Sequence, residues 1–234
     1  VRLGTLLAMA RLRDGRISTF LTDAEPSLRF EAARAIYDEP IEPAMAALAK
    51  LAYDDTPDTE AIDWRAINAN RMRGEIECGE SLVHLCCLQN HPAKTRIEAI
   101  EVLGEWTKPH GQDRIGGNWR PCVHPGAETV VDCFTAAVPQ LLRDEPVAIA
   151  AAKAAGKLQL LRCSTSLAAV VVDAARPAET RTAALDAWDG EVVDHGWTRK
   201  TGRSVVERIA ELRSFVSGFL LTFVEVEGTM GGLD

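Results

Sequence analysis

The sequence predicts an all-α fold, a right-handed α-solenoid of stacked helix pairs with one long irregular insertion. Three observations predict it: an alanine-rich composition, a helical motif that recurs along the chain, and one Gly/Pro-rich stretch that interrupts the series. Of 234 residues, 47% are hydrophobic, 26% charged and only 6% aromatic, and 34 are alanine. Alanine is the best helix former, and its small side chain lets helices approach closely. Sandwiches and propellers draw instead on aromatic and β-branched residues. The apolar fraction excludes general disorder, and the length is enough for a sizeable core.

The chain opens on Val1-Arg2 without methionine or a leader-like pattern, as expected of an internal fragment or processed product. Residues 1–13 read as one helix of a pair. Residues 28–36, 64–70, 95–103 and 180–188 then share Arg followed by small and apolar residues at helical spacing, with 148–154 a copy lacking the Arg. With Arg29, Arg65, Arg96, Ala150 and Arg181 as anchors, the spacings are 36, 31, 54 and 31 residues. Two helices and two turns need roughly 30–47 residues, the period of HEAT- or armadillo-type repeats. Pro26, Pro92, Pro146 and Pro177 precede the anchors, where the missing N–H of proline costs a first helical turn nothing. Residues 41–53, 81–89, 130–142 and 166–174 supply second helices at about 3.6 spacing. A non-repeating α-bundle is the alternative.

The repeat region is expected to span residues 1–189, with the insertion at 107–126 accounting for the long gap. Residues 190–234 are expected to form a polar loop, a helix at 204–213 and an extended tail packed on the repeats. The insertion carries Gly111, Gly116, Gly117 and Gly126 with Pro109, Pro121 and Pro125. Long irregular segments inside compact arrays are usually functional or mobile. This one is expected to be ordered and to lie across the repeats near residues 64–106, with Trp119 inserted between helices. Arg114 and Arg120 would face Glu98, Glu101 or Glu105, or serve as contact points for a partner.

The net charge of −8 speaks against a sequence-independent nucleic-acid partner, which needs a surplus of Lys and Arg. The pI near 5.2 also argues against a base-excising DNA glycosylase of this architecture. No stretch is long enough to span a bilayer. Six cysteines occur without CxxC spacing, so compartment is not legible from them. His84 and Cys87, at i and i+3 of one helix, could reach one metal ion, as could His110, Cys122 and His124 if the insertion folds back. Plain packing is the competing reading for each. The acidic run from Asp54 to Asp63 lacks the alternation and turn glycine of a calcium loop. A di-iron site on such repeats would show His-Glu pairs, and none occurs; GxSxG, P-loop and dinucleotide fingerprints are missing too. No catalytic residue and no cofactor is assigned.

Phe30-Glu-Ala-Ala-Arg-Ala-Ile-Tyr-Asp-Glu-Pro-Ile41, Ala66-Ile-Asn-Ala-Asn70, Arg96-Ile-Glu-Ala-Ile-Glu-Val-Leu-Gly-Glu-Trp106, Lys108-Pro109 and Gly111-Gln-Asp-Arg-Ile-Gly-Gly-Asn-Trp-Arg-Pro121 follow in order. This succession resembles the HEAT-repeat region of large exported proteins of the planctomycete group. In that family a sugar-dehydrogenase-like propeller precedes the repeats and a c-type haem domain with CxxCH closes the chain. Neither is present here, so no haem ligand or catalytic residue carries over. The resemblance, over about residues 15–190, implies a non-catalytic scaffold or spacer among protein subunits or domains. A c-type cytochrome or a propeller dehydrogenase are the partners it suggests. It also implies a periplasmic or cell-envelope setting, while the residues themselves leave the cytoplasm open. A haem-, metal- or small-molecule site where the insertion meets the repeats is the alternative function.

Overall fold

A computed structural model describes residues 1–54, 57–188 and 215. The expectations for residues 190–234 therefore fall outside the described residues, Phe215 apart. The described residues are all-α, with α1 at Arg2–Arg11, α2 at Pro26–Asp38, α3 at Glu42–Lys50, α4 at Glu60–Arg73 and α5 at Ile76–Cys87. There follow α6 at Ala93–Leu103, α7 at Ala127–Leu141, α8 at Glu145–Lys157, α9 at Ser164–Val172 and α10 at Ala178–Trp188. Short 3-10 turns at Gly15–Thr22, Leu51–Tyr53 and Leu161–Cys163 fill gaps between them.

The prolines act at helix starts as their chemistry requires. Pro26 opens α2, Pro146 lies in the first turn of α8, and Pro92 and Pro177 stand immediately before α6 and α10. Gly74, in the left-handed region at φ +68°, closes α4 by donating its N–H to the Asn70 carbonyl. Without that stop the chain could not turn into α5, which begins five residues earlier than the apolar pattern suggests.

Helices α2, α4, α6, α8 and α10 each pack on the next. A second set packs against them: α3 on α4, α5 on α6 and α7, α7 on α8, and α9 on α10. Small residues set the close approaches. A side chain at Gly104 would meet Ala154 of α8 at 2.9 Å, and one at Gly156 would meet the Ala187 backbone of α10 at 3.0 Å. Gly104 and Gly156 both stand twelfth from the start of their helices, and Ala154 and Ala187 both stand tenth, so the same seam recurs.

The arginine anchors divide. Arg29, Arg96 and Arg181 are each the fourth residue of α2, α6 and α10, while Arg65 is the sixth of α4. Arg96 donates to the Cys86 carbonyl and Arg181 to the Val171 carbonyl, both at 2.9 Å and both to the penultimate residue of the preceding helix. Arg96 also pairs with Asp144 at 2.6 Å, tying α6 to the start of α8. Arg29 pairs with Asp58 at 2.9 Å, and Arg65 reaches back to Asp38 at 3.0 Å.

The core is aliphatic and alanine-rich, with Trp106, Tyr37 and Phe134 its largest fully buried aromatics. Gly79 of α5 lies against Val130 and the Trp106 ring, leaving no room for a side chain there. Gly104→Leu is expected to force α6 and α8 apart at a backbone contact and cost about 1–3 kcal/mol, read by urea denaturation. The same substitution at exposed Gly4 should cost nothing.

Candidate functional site

The insertion, residues 107–126, lies across α2, α4 and α6. Its first half is a small hairpin. Asp113 donates its N–H to the Asn118 carbonyl at 2.8 Å, and Arg120 donates to the Gly111 carbonyl at 2.7 Å. Gly117 turns the tip at φ +70°, a region that favours glycine. Gly111 is required for another reason: the Trp119 indole lies on it, 2.5–2.8 Å from where a Cβ would stand.

Asp113 organises the hairpin. Its carboxylate accepts the N–H groups of Ile115 at 2.9 Å and Gly116 at 2.6 Å, the Tyr37 hydroxyl at 2.5 Å and the Arg120 guanidinium at 3.3 Å. Arg120 also stacks over the Tyr37 ring at 4.8 Å and donates to the Tyr37 carbonyl at 3.1 Å. Burial alone would raise the Asp113 carboxyl, but Tyr37, the two amides and Arg120 hold it below the ordinary carboxylate value. Tyr37 is pushed well above the usual phenol range by its own burial and by Asp113.

Arg114 makes the second tie. It grips Glu98 through two hydrogen bonds of 2.8 Å, bonds Glu101 at 2.5 Å and lies 3.8 Å from Glu105. The network extends to both sides, since Asn68 of α4 donates to Glu98 at 2.9 Å and Lys157 of α8 pairs with Glu105 at 2.9 Å. Arg71, 1% exposed, donates to the His110 carbonyl from below. The third tie is His124, whose ring stacks on Trp106 at 3.9 Å between centroids. Its Nδ1 faces the Trp106 carbonyl and its Nε2 the Arg71 carbonyl, both at 2.8 Å. Burial pushes this imidazole below its usual value, and the Arg71 charge adds to that against the two carbonyls.

The return strand of the insertion alternates. Arg120, Cys122 and His124 turn toward the helices, whereas Trp119, Pro121, Val123 and Pro125 are exposed, Trp119 by 73% and Val123 by 78%. This corrects the expectation for Trp119, which does not insert between helices. Successive side chains of an extended segment point to opposite sides. With Arg120 committed to Asp113 and Tyr37, Trp119 must face out. The expected carboxylate partners are also split: Arg114 takes all three glutamates, and Arg120 takes Asp113.

The metal-ligand candidates do not gather at one point. His84 stacks on Tyr53 at 4.8 Å, and Cys87 sits beside buried Cys86 at the end of α5. His110 is exposed, its Nδ1 accepting the Gln112 N–H at 3.1 Å. Cys122 and His124 do meet, at 3.6 Å, and burial raises that thiol. Among the described residues no group of three or more His, Cys, Asp or Glu side chains is placed to hold a metal ion. A polar cleft of about 220 Å³ opens between Glu105, His110, Gln112, Asp113 and Arg114. Tyr37, Arg71 and Asp113 are the residues missed by sequence reasoning. The Asp-x-x-Gly spacing at the hairpin tip could have flagged Asp113 as an Asx-type turn.

No protein-family model and no curated protein matches this chain.

Asp113→Ala orphans a buried hydroxyl, two amides and a guanidinium, and is expected to weaken docking of the hairpin by about 2–3 kcal/mol. Amide hydrogen exchange at Ile115 and Gly116 reads that loss. The wild-type chain should show a related pH dependence. Because the folded-state value of Asp113 is depressed, the unfolded chain binds more protons between the two values. Docking is therefore complete above about pH 4 and weakens as pH falls further. The same amides report it by NMR, and Asp113→Asn should flatten this component of the titration.

Proposed function

We propose that the chain is a right-handed HEAT-type α-solenoid that acts as a non-catalytic interaction scaffold, holding other protein subunits or domains in place. The neighbour-to-neighbour series from α2 to α10 and the repeated Gly/Ala seam support the repeat architecture. One observation carries the scaffold reading. Three charged side chains of the insertion, Asp113, Arg114 and Arg120, turn inward and meet Glu98, Glu101 and Tyr37, while an apolar strip turns outward. An extended segment held at three points loses little entropy on meeting a partner, the general benefit of preorganisation. Trp119 is the natural anchor of that surface, because exposed aromatics that become buried dominate interface energies. The setting, a cell-envelope electron-transfer or dehydrogenase assembly with a c-type cytochrome or propeller partner, rests on the family resemblance.

Quantitative affinity capture from the source organism, with wild-type and Trp119→Ala baits, tests this reading. Trp119→Ala is expected to deplete specific partners at least tenfold, about 1.4 kcal/mol or more, while the chain's own stability moves by less than about 0.5 kcal/mol. Equal capture by the two baits would overturn it, as would a monomeric chain that retains nothing.

A further inference from the structure

Helices α3 and α5 both pack on α4, with a cavity of about 450 Å³ between them. The next pair in that layer, α5 and α7, pack directly on one another, so the gap is not a consequence of stacking. Its walls are small and apolar: Ala46 and Ala49 of α3, and Cys78 of α5, whose thiol is kept neutral by a burial that raises it above its ordinary value. The Tyr53 ring, held by stacking on His84 at 4.8 Å, forms one side. Concave and mostly apolar sites of about 300–1,000 Å³, with a few placed polar groups, are the ones that take small molecules.

One polar side chain lies deep in it. Asn70 of α4 is 2% exposed, and its Nδ2 donates to the Ala49 carbonyl at 2.8 Å and the Ala66 carbonyl at 2.9 Å. Those bonds use both amide protons and fix the orientation of the amide. What Asn70 can offer a ligand is therefore Oδ1, an acceptor with no partner among the described residues. A buried acceptor left unmet is costly, and a ligand that donates to it removes that cost. The rim is charged. Arg73 is spent on Glu75 at 2.5 Å, while Lys50, Asp54 and Glu77 are exposed and their side chains have no ion-pair partner among the described residues. Two free carboxylates against one lysine leave the rim negative, in a chain that carries −8 overall. The depth of the cavity thus calls for a donor and its rim for a cation. We propose that the cavity binds a small amphipathic amine. A hydroxyl or N–H at the far end of that ligand donates to Asn70 Oδ1, its apolar body lies against Ala46, Ala49 and Cys78, and its ammonium sits at the Asp54–Glu77 rim. The site shares no residue with the Trp119 surface and does not depend on the scaffold reading.

The probe is tyramine, which carries a phenol at one end and an ammonium at the other, titrated calorimetrically into the whole chain. Three analogues divide the contacts: 4-ethylphenol lacks the ammonium, phenethylamine lacks the hydroxyl, and 3-(4-hydroxyphenyl)propionate puts a carboxylate where the ammonium was. Tyramine is expected to bind at least tenfold more tightly than each of them. Its advantage over 4-ethylphenol should shrink as salt rises, because the rim charges are exposed. Phenethylamine reports the Asn70 bond without disturbing the two backbone carbonyls that Asn70 holds. Ala46→Leu fills the cavity and should weaken tyramine at least tenfold. Asp54→Asn with Glu77→Gln should do the same to tyramine while leaving 4-ethylphenol unchanged, and Trp119→Ala should change nothing. Because the whole chain is titrated, a cavity already filled by residues of the chain itself would bind no probe, and absence of binding at about 1 mM tyramine overturns the proposal. Equal affinity for tyramine and the propionate overturns it too, as does binding that survives Ala46→Leu or is lost in Trp119→Ala.

Discussion

A carboxylate removed from water needs every lone pair answered, and Asp113 is the group around which the insertion closes for that reason. Two backbone amides, a tyrosine hydroxyl and a guanidinium converge on it. The amides shape the hairpin tip, the tyrosine brings in α2, and the guanidinium fixes the strand that returns. Each partner would itself be orphaned without Asp113, so the tip, the return strand and the contact to α2 form as one unit. The parity of the return strand follows from Arg120, and the parity decides that Trp119, Pro121, Val123 and Pro125 face outward.

Charge is distributed with the same economy. Arg114 draws Glu98 and Glu101 of α6 and Glu105 of the turn that follows it onto a single cation. Without it they would repel one another along the helix. Asn68 and Lys157 extend this network to α4 and α8, so the insertion also clamps three successive helices of the series. Inside the stack, arginines at helix starts satisfy the last carbonyls of preceding helices, as Arg96 and Arg181 do. The basic side chains are thus largely consumed in holding the molecule together.

Small residues govern the spacing between helices. Where Gly104 meets Ala154 and Gly156 meets Ala187, backbones approach so closely that packing is read by the absence of side chains. Overpacking at such seams is as costly as a cavity, because a packed interior has nowhere to relax. The seam recurs in the same register on successive helices.

The sequence by itself determined the all-α class and the helix starts at the prolines, because these depend on local propensity and on 3.6-residue periodicity, whereas the start of α5 at Ile76 was set by the stop at Gly74 and not by the apolar pattern. The spacing of Glu98, Glu101 and Glu105 made them candidate partners for Arg114 and Arg120, and the tertiary structure gave them to Arg114 alone. The tertiary structure alone decided the rest. Tyr37 and Asp113 lie 76 residues apart, and nothing local marks them as partners. Arg71, in the last turn of α4, is buried beneath the insertion, and nothing in the local sequence marks it for that place. Trp119 reads as a residue seeking a core, but whether an apolar side chain is buried depends on which neighbour already faces inward. Here Arg120 had a buried carboxylate to reach, and desolvating that ion pair unmet would have cost more than leaving an indole in water.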